Sequence, residues 1–271
     1  MTLDQDYVLG TNDEEVERLG LQHRIWRSRA LDAWRRAGFT AGQTLLDVGC
    51  GPGYASLDLA EIAGPSGRVV CIDKSGHFLD VLDQTRQTRG AFQIETVRAE
   101  LDEPALPTLA ANGAWCRWVF AFVKHPRRLL GALATSLKPG GMLVIHEYFD
   151  YAAWRLSPRT PAFEKFVETV MATWRTAGGE PDIGMDLPGW LEPEGFRLQE
   201  VRPLIDAVRP IDDIWRWPSA FVDVNLRRLQ HLGLVNAEMA SATRDALMNA
   251  EGNACSVMVT PGVLEILAVR M

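Results

Sequence analysis

No stretch of this 271-residue chain reaches the ~20 consecutive apolar residues that a membrane-spanning helix needs. The first residues carry Asp4 and Asp6 rather than an apolar run, so a secretory leader is not expected there. Cysteine is scarce. Cys50, Cys71, Cys116 and Cys255 are widely scattered and form no paired metal spacing, which argues against a disulfide framework and leaves no metal ion expected. Positive charge is also in the minority, with 28 Lys and Arg against 35 Asp and Glu. A net charge of −7 excludes a protein whose main task is gripping nucleic-acid phosphates or an anionic membrane. Internal repeats and low-complexity linkers are missing too. The expectation is a soluble, cytoplasmic chain whose residues 1–271 form one domain, monomeric or homodimeric, with no nucleic acid and no membrane among its partners.

What the chain does have is the stretch Leu45-Leu46-Asp47-Val48-Gly49-Cys50-Gly51-Pro52-Gly53. Apolar residues run into an acid, and three glycines then stand at every second position. A helical segment, Tyr54 to Ala63, follows at once and stops at Gly64-Pro65. This is a buried strand turning sharply into a helix, with glycine allowing both the turn and the close approach of a ligand.

Around that unit the pattern alternates. A helix over Gln22–Ala37 precedes it and ends at Gly38. Strands are read at Leu45–Val48, Arg68–Asp73, Gln93–Val97, Ala114–Val119 and Met142–His146, with helices over Gly76–Thr88, capped by Ser75, and Pro126–Leu137. Such alternation means a parallel sheet with helices on both faces. After Glu147 the rhythm changes: a helix over Ala162–Thr176, a strand at Arg197–Val201, a mainly helical segment from Pro203 to Val259 with Trp215, Trp217 and Phe221 at its front, and a final strand, Val263–Val269. The layout is a helical N-terminal cap (residues 1–38), a cofactor-binding core (44–147) and a helical lid insertion (203–259) over the substrate.

Ligands of open parallel sheets bind outside the carboxyl ends of the strands. The glycine loop ends the first strand there. Asp73 ends the second, 20 residues after Gly53, where an acid accepts hydrogen bonds from the two hydroxyls of a ribose. A dinucleotide site would space its glycines G-x-G-x-x-G for a pyrophosphate. Here the spacing is Gly49-x-Gly51-x-Gly53, and Asp47 stands just before it. That acid would repel a pyrophosphate and suits a cationic nucleoside.

On these residues the chain resembles the class I S-adenosylmethionine-dependent methyltransferases, in particular the small-molecule, ubiquinone/menaquinone-type group. The resemblance covers Thr44 to Glu147, with Leu45–Gly53, Val69–Ser75, Ala99-Glu100-Leu101 and Leu137–Ile145 as its motifs. It implies an α/β fold, a Rossmann-like, mostly parallel seven-stranded sheet. It implies S-adenosyl-L-methionine as cofactor, leaving as S-adenosyl-L-homocysteine. Asp47, Gly49, Cys50, Gly51 and Gly53 would line the methionine part, and Asp73 would hold the ribose. Lys74 and Phe78 would flank the adenine, Glu100 and Leu101 would meet its edge, and Cys116 and Arg117 would lie beside the sulfonium. The N-terminal helix, with Gln22, would fold over the cofactor. Two departures stand out: Asn112-Gly113-Ala114-Trp115 where such enzymes commonly open the fourth strand with Phe-Asp, and Glu100 where Asp is commoner.

Methyl transfer from a sulfonium to an O, N or C atom of a small-molecule acceptor is a direct displacement, so positioning carries most of it. A general base is needed only for a protonated acceptor. The candidates are Glu147, His146 and His125, with His146 and Glu147 on opposite faces of their strand. Trp118, Trp215 and Trp217 are candidates for an apolar wall against a flat acceptor. The alternative functions are a nicotinamide-dependent oxidoreductase and a non-catalytic cofactor-binding protein of the same fold.

Overall fold

The computed structural model describes residues 11–103 and 106–271. The acidic start with Asp4 and Asp6 and part of the proline-broken stretch lie outside the described residues. The first helix, α1 (Asp13–Arg36), begins earlier than Gln22 because Asn12 caps it, accepting the Glu15 N–H at 3.0 Å. Acids fill its first turn and arginines its last, each favourable to the helix dipole.

The alternating half follows as the pattern requires: β1 (Thr44–Val48), α2 (Tyr54–Ala63), β2 (Arg68–Asp73), α3 (Gly76–Arg89), β3 (Ile94–Arg98), β4 (Ala111–Arg117), α4 (Pro126–Ser136) and β5 (Leu137–Asp150). Ser75 caps α3 by accepting the Phe78 N–H. The remainder runs β6 (Arg155–Ser157), α5 (Pro161–Thr176), α6 (Leu187–Leu191), β7 (Phe196–Leu204), β8 (Ala207–Val208), α7 (Arg216–His231), α8 (Ala237–Glu251), β9 (Val257–Val259) and β10 (Gly262–Arg270).

The main sheet has seven strands in the order β3-β2-β1-β4-β5-β10-β7. Neighbours from β3 to β5 are parallel, and β10 runs antiparallel to both β5 and β7. This is the Rossmann-like, mostly parallel seven-stranded sheet expected. Strand order reverses between β1 and β4, so a crevice opens above their carboxyl ends. Along β4, Ala114 and Cys116 pack in one core layer while Trp115 packs in the other. On that second side Trp115 meets Trp34 of α1 edge to face, 5.2 Å between ring centres. Gly113 opens room for the Phe39 ring, against which a Cβ would collide.

Helix α1 is fastened to the reversed edge of the sheet. Arg36 pairs with Asp32, with Glu200 of β7 and with Glu265 of β10, and Arg29 pairs with Asp206. The segment expected to be a helical insertion, residues 203–259, holds α7 and α8 but is bounded by strand. β8 and β9 join β6 in a second, three-stranded sheet of order β6-β9-β8. Strands of two and three residues are too short to show a period of two, which is why the pattern hid them. Among the described residues no helix is long and apolar enough to cross a membrane.

Gly53 links strand to helix with φ +83°, and a Cβ there would fall 2.2 Å from Leu82 of α3. Gly53→Ala must therefore bear a left-handed backbone and displace a buried leucine. The expected loss is about 3 kcal/mol of unfolding free energy in a urea titration; a loss under about 1 kcal/mol would show the loop to be freely adaptable.

Candidate cofactor and acceptor cleft

The glycine loop spends its amides on itself and its neighbours. The N–H groups of Gly49 and Cys50 both donate to Ile72 O, that of Gly53 to Cys50 O, and that of Gly51 to Asp73 Oδ2 at 2.8 Å. Pro52 has none. The loop residues themselves thus offer no spare N–H for a pyrophosphate. Gly51 faces open space, with φ +54° and only Leu19 near the position of a Cβ, so a ligand can lie directly against the main chain. Asp73 takes one N–H on each oxygen, from Gly51 and from Ser75. The Lys74 N–H also favours the charged form of Asp73, and acceptor capacity remains for a ribose hydroxyl.

Asp47 ends its strand buried, accepting the Ser56 hydroxyl at 2.6 Å. Burial pushes its carboxyl up to about 6, against the Ser56 bond and the charge of Arg117. Arg117, at the end of β4, is held through α1: its Nη2 lies 3.1 Å from His23 Nδ1, and His23 Nε2 lies 3.0 Å from Asp58 Oδ2. Arginine only donates, so Nδ1 accepts and the His23 proton sits on Nε2, donating to Asp58. His23 is thereby neutral, and burial lowers its pKa further. Desolvation lowers the Arg117 guanidinium to about 10, and its Nη1 is buried with no hydrogen-bond partner among the described residues.

From here the cleft turns aromatic. Arg117, Trp118, Phe122, Tyr148, Trp174 and Trp217 lie along its wall, around a cavity of ≈ 90 Å³. Trp118 stacks with Tyr148 and with Trp217, each at 5.5 Å. It holds φ +52°, a conformation rare for a bulky residue. Glu15 and Arg18 of α1 close the front, bonded to each other twice at 2.6 and 2.7 Å, while Gln22 accepts from Arg18 Nη1 and from Trp217 Nε1. Burial raises the phenols of Tyr148 and Tyr151 well above their usual range, opposed by Arg18.

Of the expected cofactor residues, Gln22, Asp47, Gly49, Cys50, Gly51 and Arg117 line the cleft together. Gly53 does not; it packs on Leu82. Asp73 stands behind Gly51, bonded to its amide. Phe78, Leu101 and Cys116 are buried away from the lining, and Glu100 is exposed. Lys74, half-buried, offers its carbonyl to Arg98. The three acid–base candidates do not meet. His146 is packed between Trp115 and Trp26 and bonded to Glu265. Glu147 accepts the N–H groups of Ala121 and Tyr148, fastening the turn after β4. His125 is exposed at the start of α4. None of the three lines the cleft. Trp215, expected at the mouth, is buried with its N–H on Glu251. Arg18 lines the cleft with Gln22, as expected of the N-terminal helix, whereas Glu15 and the rings of Phe122, Trp154 and Trp174 carry no signal in the sequence that separates them from ordinary helix and core residues.

Residues 46–145 match the family model described as "Methyltransferase domain". Over 126 residues the chain is 29% identical to a demethylmenaquinone methyltransferase from Oceanobacillus iheyensis, covering 46% of this chain and 52% of that one. The chain spans about half the length of the curated relatives it matches. A methyltransferase structure from Bacillus halodurans, described as putative in its own name, superposes with a TM-score of 0.59 at 17% identity, over 89% of this chain and 98% of that one. A [4+2]-cyclase structure gives 0.58 at 17% identity, over 90% and 80%. At such identities the two structures speak for the fold alone.

Burial raises the Glu147 carboxyl to about 7, opposed by its backbone N–H donors. The folded chain therefore binds this proton more tightly than the unfolded one, from an ordinary value of 4.5. Its contribution to stability is whole below pH ~4.5 and lost as pH rises through about 7, a decline of about 3 kcal/mol. Glu147→Gln is expected to flatten that part of the curve when urea unfolding is followed from pH 4.5 to 7.5. Parallel curves for the two proteins would contradict the raised pKa.

Proposed function

We propose that this chain, a class I S-adenosylmethionine-dependent methyltransferase over its cofactor-binding half, transfers a methyl group to a small, flat acceptor held at the ring-lined end of the cleft. The observation that carries this reading is the two-sided cleft itself. One side pairs a buried carboxylate with a glycine loop whose amides are spent; the other is a wall of stacked rings. The first suits a phosphate-free, cationic nucleoside and the second a planar molecule.

S-adenosylmethionine, when bound, supplies an electrophilic methyl group on a sulfonium. The chain's own residues do the rest. Asp47 is placed to pair with the donor's ammonium, Gly51 leaves room for the donor against the main chain, and Asp73 keeps lone pairs for the ribose. Trp118, Tyr148 and Trp217 hold the acceptor's plane and exclude water, which for a displacement is the principal task. We assign the lid role to α1, through Glu15, Arg18 and Gln22, and to α7, through Trp217, Pro218 and Phe221, all of which border the cleft. Similarity to a demethylmenaquinone methyltransferase supports an oxygen-bearing ring as acceptor. The nicotinamide alternative is disfavoured by Asp47 and by the loop's lack of spare amides.

Two measurements test the donor side. Asp47 pairs with a cation only when ionised, and its carboxyl titrates at about 6. S-adenosylhomocysteine affinity should therefore be level above pH ~6.5 and fall toward tenfold per unit below ~5.5. In Asp47→Asn the slope should vanish with the affinity already low; an unchanged slope would remove Asp47 from the site. Asp73→Ala should weaken S-adenosylhomocysteine at least tenfold by calorimetry, about 1.4 kcal/mol. Tight binding of NADH with none of S-adenosylhomocysteine would overturn the whole reading.

A further inference from the structure

Among the described residues, four charged side chains line the cleft: Glu15, Arg18, Asp47 and Arg117. Glu15 and Arg18 neutralise each other through two hydrogen bonds. Arg117 has no such partner. Its Nη2 is spent on a neutral His23, its Nη1 is buried with nothing to donate to among the described residues, and the Trp118 Nε1 beside it in the chain is in the same position. The guanidinium lies over the rings of Trp118 and Trp115, 5.2 and 5.7 Å from their centres. Around it stand Asp47 from β1, His23 from α1, Asp58 from α2 and Tyr148 from β5. Asp47 is the nearest in electrostatic effect, yet its hydrogen bond goes to Ser56. A half-buried cation with a buried N–H and no bonded anion carries a cost, and a guanidinium cannot shed its proton to relieve it. A ligand that brings the anion does relieve it.

Position says which ligand. β4 lies between β1, which carries the glycine loop, and β5, which carries Tyr148. Arg117, its last residue, is therefore at the seam between the donor side and the ring wall. A second observation agrees: among the described residues no histidine lines the cleft, its glutamate is paired with Arg18, and its aspartate, Asp47, is engaged by Ser56.

We propose that Arg117 binds an ionised oxygen of the acceptor, so that the enzyme selects acidic planar hydroxyl compounds, phenols or enolised 1,3-dicarbonyls, and takes them as oxyanions without a general base. This rests on the methyl-transfer reading. Atoms and charges balance. The acceptor oxygen's electron pair forms the new bond to the methyl carbon while the carbon–sulfur bond breaks onto sulfur, and one negative and one positive charge disappear together. Attack from the ring carbon beside the oxyanion gives the same balance, its proton leaving afterwards to water.

The rival occupant of Arg117 is the donor's own carboxylate, and the test separates the two. A panel of planar phenols including 7-hydroxycoumarin is titrated by absorbance with the S-adenosylhomocysteine-loaded protein, and the ionisation of bound probe is read. With the native chain the midpoint should fall by at least one pH unit; with Arg117→Met it should return to the free value, and Arg117→Lys, the variant that keeps a cation should Met not fold, should give a smaller fall. In parallel, affinities for S-adenosylhomocysteine and for 5′-methylthioadenosine, which lacks the carboxylate, should change equally in the variants, within twofold. A tenfold loss for S-adenosylhomocysteine alone would assign Arg117 to the donor and overturn the proposal, as would equal probe ionisation in native and variant chains, or no binding of any panel member. Absence of methyl transfer with probe ionisation intact would sink the reaction and leave the oxyanion site standing.

Discussion

The cleft depends on one costly constraint, the burial of a carboxylate at the end of a parallel strand. Asp47 is out of water, and among the described residues a single hydroxyl, that of Ser56, donates to it. Parallel strands end at the same side of the sheet, so the carboxyl ends of β1, β2, β4 and β5 converge on that group. The loop that must turn back from it is glycine because the backbone is left-handed at positions 49, 51 and 53 and each glycine meets different surroundings: Val119 beside Gly49, Leu82 beside Gly53, and beside Gly51 only Leu19, at 3.8 Å. Two of the three are closely packed and the third borders the cleft.

The opposite charge is supplied with comparable strain. Arg117 is oriented by a neutral histidine, His23, itself oriented by Asp58, so a helix before the sheet, a strand of the sheet and a helix after the loop share one chain of hydrogen bonds. Arg27 completes it on Asp58 at 2.8 Å. Because α1 is also pinned at its far end through Arg36 to β7 and β10, the helix that borders the cleft is fixed at its middle and at its C-terminal end. The ring wall continues the same geometry: Trp118 directly follows Arg117, and its left-handed backbone turns its ring into the stack with Tyr148 and Trp217.

The alternating half was legible almost residue by residue. α2 and β2 fall where glycine, proline and the apolar runs put them, and Ser75 caps α3 as its place before the helix requires. Local signals suffice there, since strand–loop–helix units repeat and their stops are glycine. Fidelity drops where pairing is long-range. The Lys138-Pro139-Gly140-Gly141 stop persists as an irregularity inside β5, which pairs with β4 at Leu137 and again from Met142, where pairing with β10 also begins. Long-range pairing also decides the surroundings of a strand-end histidine: His146 is bonded to Glu265 on a strand 119 residues away.

What the sequence determined by itself is the donor side: an apolar strand, an acid, alternate glycines and a second acid are contiguous or nearly so, and their chemistry is set by backbone geometry that such runs can adopt in one way. What only the tertiary structure decided is the acceptor side. Its rings and charges come from α1, the ends of β4 and β5, α5 and α7, and their meeting depends on packing between elements up to 195 residues apart, as in the Gln22–Trp217 contact. A tryptophan or an arginine in the chain reads the same whether it fills a core or faces a substrate. Only the fold shows that, among the described residues, the buried Arg117 Nη1 has no hydrogen-bond partner.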